Sequence, residues 1–245
     1  MDSTGSDGES VLLLWTGGWD STFRLLQLLL IEEKSVQPIY LADDQRRSTG
    51  IEIETMQSIR NAIIDKYPKA EERLRSVNFI SAGEIKPDRQ IDRAWRKIRN
   101  KRHIGAQYKL LAAFCKQEGL ENVELSVQKR ISEHRVELSL AYNLDKDRKT
   151  ESEELLFNCF SFPLLNLSKM DMVAMAERSG WMDILNRTWF CHRPVNIPLF
   201  GPVPCGGCNP CIVAIEEGFG GRVPLLNRVF GRIVKRAYHR IKLQM

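Results

Sequence analysis

Val11-Leu12-Leu13-Leu14-Trp15-Thr16-Gly17-Gly18-Trp19-Asp20-Ser21-Thr22 is the stretch on which the reading of the fold turns. Four apolar residues run towards a pair of glycines, and from Ser21 to Ile31 leucines recur with polar interruptions. This order predicts a buried strand, a tight turn and a helix. Working outward, Val36 to Ala42 reads as a second strand, 43–50 as a polar loop and Ile51 to Tyr67 as a helix. Val77 to Ser81 and Val123 to Val127 read as further strands, and Ile104 to Gln117 as a helix that stops at Gly119. Short apolar strands alternating with helices predict an α/β fold with a parallel sheet covered by helices on both faces. In such sheets ligands gather beyond the carboxyl ends of the strands, where the Thr16 loop belongs.

Arg135 to Leu144 and Leu155 to Phe162 alternate apolar and polar side chains around a charged stretch, which predicts a hairpin. Ser168 followed by Asp171 is a capping box shortened by one carbon, and Gly180 supplies a stop, so Lys169 to Ser179 is expected to be a helix. The expected organisation is a disordered segment at 1–10, an α/β domain at 11–180, a metal-binding subdomain at 181–221 and a basic amphipathic helix at 222–245.

The glycine loop has the makings of an anion site. A helix N-terminus presents unpaired N–H groups and the positive end of its dipole, and Gly17-Gly18 lets the backbone approach phosphate closely. The hydroxyls of Thr16, Ser21 and Thr22 can add hydrogen bonds, and Asp20 is a natural partner for magnesium. Trp15 and Trp19 flank the loop as core aromatics or pocket walls, the core suiting Trp15 better. An ordinary strand-to-helix turn is the competing reading. No Gly-Lys-Ser/Thr follows, so this is not a Walker A loop. The loop closely resembles the Ser-Gly-Gly-x-Asp-Ser loop of PP-loop enzymes, with Thr16 in place of the first serine. That resemblance implies binding of the β and γ phosphates of ATP and release of pyrophosphate, with Asp20 and Ser21 as candidate catalytic residues.

Cys205-Gly-Gly-Cys208-Asn-Pro-Cys211 sets three thiols at two-residue intervals, with Cys191 upstream across a Pro-rich loop. Four soft ligands at short spacing suit a closed tetrahedral zinc site, and an iron–sulfur cluster would also accept them. Cys115 and Cys159 fall within predicted elements and read as core residues.

Pro163-Leu164, Lys169, Val173, Thr188-Trp189-Phe190-Cys191, Pro204 to Cys211 and Gly218-Phe219 follow one another in a succession that resembles the C-terminal part of the QueC-like 7-cyano-7-deazaguanine synthase family. Members of that family pair such a cysteine loop with a PP-loop. The resemblance implies that ATP activates a carboxylate on a deazapurine as an acyl adenylate, ammonia captures it as an amide, and a second ATP drives dehydration to the nitrile. It assigns Thr16, Gly17, Gly18, Asp20 and Ser21 to phosphate and Cys191, Cys205, Cys208 and Cys211 to zinc. The middle of the chain departs from the family at Asp43 to Arg47 and from Gln128 to Thr150. A divergent paralogue that joins the acyl group to an amine of a macromolecular partner, as in anti-phage or nucleic-acid modification systems, is therefore a second expectation.

Charge narrows the remaining classes. The net charge is +5, yet Arg222 to Met245 holds seven Lys or Arg and no acid, which leaves about −2 over the rest of the chain. A slightly acidic body disfavours a zinc-ribbon nucleic-acid module, and a PP-loop tRNA-modifying enzyme is the rival enzyme reading. The tail carries Leu226, Ile233, Ala237 and Ile241 at helical spacing among its cations. It is expected either to pack on the protein's own core or to dock on an acidic partner or second subunit, with nucleic acid or a membrane surface less favoured. Lys101-Arg102-His103 and the cations before it read as a solvated face. With neither a signal peptide nor a membrane span in the sequence, the protein is expected in the cytoplasm.

Overall fold

The computed structural model describes residues 10–43, 46–101, 104–128 and 150–231. The expected disorder of 1–9, the first hairpin arm at 135–144, the Arg102-His103 pair and the tail from 232 onward lie outside these residues.

A parallel five-stranded sheet forms the centre. Its strands are β1 (Val11–Leu14), β2 (Val36–Ala42), β3 (Asn78–Ser81), β4 (Val123–Glu124) and β5 (Phe160–Ser161), in the order β3-β2-β1-β4-β5. β1 pairs with β2 from Val11 opposite Val36 to Leu14 opposite Ile39, and with β4 on its other side through Leu13 and Glu124. The period-two alternation of strand side chains divides the apolar residues between two cores. Leu13, Trp15, Val36 and Tyr40 face α1 (Trp19–Leu30), α2 (Thr49–Lys66), α6 (Lys169–Arg178) and α7 (Met182–Leu185), while Leu14 and Ile39 face α3 (Arg89–Arg99), α4 (Gln107–Glu118) and α5 (Glu151–Phe157). Helices therefore cover both faces. Trp181, Ile184 and Leu185 belong to the first of these cores.

From β1 the chain steps outward to β2 and β3, then returns to place β4 on the other side of β1. The order reverses between β1 and β4, the position in an open α/β sheet where the loops leaving the carboxyl ends diverge. Residues 15–18 and 125–128 are those two loops.

A buried ion pair holds α1 against β4. Arg24 donates from Nε and Nη2 to the two carboxylate oxygens of Glu124, at 2.7 and 2.8 Å, and also binds Glu32. Burial by itself would lower the pKa of Arg24, but the hydrogen bonds from Glu124 and Glu32 outweigh it and hold the guanidinium above its ordinary value.

One sequence expectation is corrected. Leu155 to Phe162 is not one strand of a hairpin: residues 151–157 form α5, and only Phe160–Ser161 is strand, parallel to β4. The reason is local. Thr150 caps the backbone N–H of Glu153 while the Glu153 carboxylate accepts from the Thr150 N–H, a complete capping box, and Leu156 and Phe157 then enter the second core together. The cations of 93–99 lie on a solvated face of their helix. Asp88 caps α3 at Gln90 and Ile91, and Ile91, Ala94, Trp95 and Ile98 turn inward, leaving Arg93, Arg96, Lys97 and Arg99 on one exposed face. Among the described residues no helix is long and apolar enough to cross a membrane.

Changing Arg24 to Met should lower stability by about 3–5 kcal/mol, because Glu124 would keep its charge in a dry position without a cation. Urea denaturation measures this, and the double change Arg24→Met, Glu124→Leu should recover most of the loss.

Candidate functional site: a glycine loop joined to a four-cysteine cluster

Gly17 makes the turn out of β1 with φ +66°, a conformation that penalises any residue with a Cβ. A methyl there would also crowd Met56 and Thr55 of α2, at 3.1 and 3.3 Å. The turn delivers the chain to Gly18, the N-cap of α1, where no side chain caps the first N–H groups. Thr16 is exposed beside the turn. Ser21 is buried and donates its hydroxyl to the Gly18 carbonyl at 3.3 Å, bracing the loop.

Trp15 and Thr22 face away from the loop. Both are fully buried, and the Trp15 indole N–H donates to Thr22 Oγ1 at 3.0 Å. The inward side of β1 extends one residue past the strand to Trp15, in register with Leu13, and so draws both side chains into the core. Trp19 is mostly buried and stacks on Phe23 with ring centres 5.7 Å apart, yet its indole Nε1 has no partner.

Asp20, half-buried in the first turn of α1, receives a hydrogen bond from Lys169, the first residue of α6. The Lys169 ammonium also lies 3.9 Å from Glu217 and 4.6 Å from the centre of the Trp19 ring. Gln128, on the loop beyond β4, donates from Nε2 to Glu217 at 2.9 Å while its buried Oε1 lacks a partner. Lys169, Glu217 and Gln128 thus join Asp20. Reasoning from sequence left these three out as site residues, since nothing in their local patterns brings them together.

The cysteines are gathered by a small hairpin of β6 (Val195–Ile197) and β7 (Gly201–Val203), which folds back so that Cys191 and Cys205 meet at its base. The Cys205 N–H points at Cys191 Sγ and the Cys208 N–H at Cys205 Sγ, at 3.2 and 3.3 Å. Cys208 then caps α8 (Asn209–Glu216), whose first turn carries Cys211. All four sulfurs lie within 4.8 Å of one another, with separations of 3.4, 3.8 and 4.0 Å among them. A tetrahedron with metal–sulfur bonds of about 2.3 Å has edges of about 3.8 Å. The group can therefore hold a metal ion such as zinc. Their mutual contacts divide the thiols: contact with Cys191 draws Cys208 down to about 6 and Cys205 further down, while Cys191 and Cys211 are pushed up. Four adjacent thiolates repel, and a divalent cation among them removes that conflict.

Glycine decides how the tail begins. Residues 225–231 are helical and cross the cysteine loop so closely that a methyl on Gly206 would overlap the Asn227 carbonyl, and one on Gly207 would lie 2.8 Å from the Gly231 carbonyl oxygen. Asn227 Nδ2 donates to the Pro204 carbonyl at 2.8 Å. This first part of the tail lies against the cysteine loop through its backbone, while Leu225, Leu226, Val229 and Phe230 stay exposed.

One segment links loop and cluster. The Trp189 N–H donates to the Gly17 carbonyl at 3.0 Å, and Cys191 follows two residues later. Arg222 fixes this segment by donating to the Thr188 carbonyl and, at 3.1 Å, to the Thr188 hydroxyl, with its guanidinium over the Phe190 ring.

No protein-family model matches the sequence, and no curated protein matches it either.

The purified protein should carry about one zinc per chain, and Cys208→Ser should reduce metal content and melting temperature together. Elemental analysis with a thermal melt decides this, and iron with sulfide, or a stable metal-free protein, would overturn it.

Proposed function

We propose that the chain is a PP-loop enzyme that uses ATP to adenylate a carboxylate of the 7-carboxy-7-deazaguanine type, the acyl group then being captured by ammonia. The observation that carries this reading is the position of Thr16-Gly17-Gly18. The loop leaves β1 where the strand order reverses, its helix N-terminus is uncapped, and Asp20 and Lys169 stand at its rim.

The chemistry suits those residues. A carboxylate is a poor acyl donor until its oxygen can leave with AMP. In the proposed reaction that oxygen attacks the α phosphorus of ATP, the bond to the bridging oxygen breaks, and pyrophosphate departs. The N–H groups of Trp19, Asp20 and Ser21 would receive phosphate oxygens, the hydroxyl of Thr16 would add a donor, and Lys169 would offset negative charge on the leaving group. Magnesium is commonly held by one or two carboxylates and substrate phosphates, which fits Asp20, and when bound it neutralises charge on the departing pyrophosphate. Ammonia attacks the acyl carbon and AMP leaves as the amide forms. A second adenylation, on the amide oxygen, allows loss of AMP and protons to give the nitrile. No covalent nucleophile is required, so the protein contributes positioning and charge.

Zinc would be structural, since four thiolates fill its coordination and leave no place for substrate. Its part would be to fix the 188–211 segment that borders the loop.

Incubating the protein with ATP, magnesium and 7-carboxy-7-deazaguanine, with and without ammonia, and following products by mass spectrometry tests the reading. AMP, pyrophosphate and an ammonia-dependent amide or nitrile are expected. Asp20→Ala should remain folded and lose about 10²-fold or more of pyrophosphate release. Full release by that variant would remove Asp20 from the site.

A further inference from the structure

Lys169 occupies an unfavourable place for a cation. It is the first residue of α6, at the positive end of the helix dipole, and its side chain is only 10% exposed. An ammonium in such a position needs carboxylates. It has Asp20 on one side and Glu217 on the other, with the faces of Trp19 and Phe219 closing around it. Under the reading given above, Asp20 is the residue that a magnesium–nucleotide complex would engage. Its carboxylate would then serve a divalent cation, and Glu217 would be the anion left to hold the lysine.

Glu217 is well placed for this. It is the C-cap of α8, a helix of eight residues whose N-cap is Cys208 and whose first turn carries Cys211. Gln128 fixes its carboxylate from the end of β4, and two residues further on Phe219 packs against Trp19 at 5.7 Å. One short helix thus runs from the cysteine cluster to the lysine beside the glycine loop.

We propose that Glu217 is a positioning residue that retains Lys169 at the glycine loop once Asp20 is engaged, so that the cysteine loop, acting through α8, sets where the lysine stands. The lysine then need not leave the site for nucleotide to enter; it shifts its weight from one carboxylate to the other.

The test has two parts, so that failure of adenylation and failure of this inference stay distinct. In the zinc-loaded, nucleotide-free protein, reductive methylation of Lys169 is followed by peptide mass spectrometry in wild type, Asp20→Asn, Glu217→Gln and the double variant. Asn at position 20 stands in for an engaged carboxylate. Each single variant should protect Lys169 nearly as well as wild type, and the double variant should expose it about tenfold. If Asp20→Asn alone exposes Lys169 as fully as the double variant, the inference is wrong. It is equally wrong if Glu217→Gln loses zinc, which would make Glu217 a structural support of the metal loop. In turnover, Glu217→Gln should lower kcat about tenfold with KM for ATP within about twofold, and Glu217→Asp should restore part of the loss. Unchanged kcat in an active Glu217→Gln enzyme would overturn the inference. Absence of pyrophosphate release from wild type would count against the adenylation reading alone, because the methylation result stands without it.

Discussion

The hydrogen bond from the Trp189 N–H to the Gly17 carbonyl ties together the two halves of this protein. Gly17 can offer that carbonyl only because it adopts the left-handed conformation at the end of β1, and it can do so only as glycine, with α2 pressed against it. On the other side, Trp189 is held by the Arg222 bonds at Thr188 and by its own indole, which donates to the Cys191 carbonyl at 2.7 Å. A turn at the centre of the sheet and a thiol of the four-cysteine cluster are thus joined within the span from Trp189 to Cys191. Neither can shift far without the other.

The buried charges of the molecule divide into two kinds. Arg24 and Glu124 meet in a two-point contact whose geometry is fixed by α1 and β4, and Glu32 and Gln27 take up the remaining guanidinium N–H groups. This is a fastening. Asp20, Lys169 and Glu217 form the opposite arrangement, one cation shared by two anions, with the nearer contact tight and the farther one loose. Such a triad leaves the cation a second carboxylate within reach of the first. Unpaired polar atoms on Trp19 and Gln128 border the same triad, whereas the Arg24 contact is saturated. The two arrangements differ in whether the buried polar atoms around them are all partnered.

Much of this was legible in the sequence, for physical reasons that differ by element. The run Val11–Leu14 followed by paired glycines and the helix after it were readable because strand burial, turn and helix start are all local. The helix at Lys169–Arg178 was readable because Ser168 and Asp171 form its cap within four residues. The cysteine cluster could be named from its spacing, because three thiols at two-residue intervals around Gly206, Gly207 and Pro210 are held close by the chain itself. The misreading at Leu155–Phe162 came from weighing alternation above the Thr150–Glu153 cap, and the end signal was the stronger. Glu217 and Gln128 gave no local signal, and Lys169 stood out only as one residue of the C-terminal succession, with no role attached. Lys169 lies 149 residues from Asp20 and Gln128 lies 89 from Glu217, so only the topology brings them into contact.

The crossing of Gly206 and Gly207 with Gly231 fixes something that contact alone would not. Where backbones touch without side chains between them, the facing positions must be glycine, so the helix that begins after Pro224 is locked in rotational phase as well as in place. A single residue inserted between Val223 and Gly231 would turn that helix by about 100° and bring a side chain down on the cysteine loop. Length therefore constrains this segment more tightly than chemistry: it should tolerate exchange of its exposed residues far better than any change in their number.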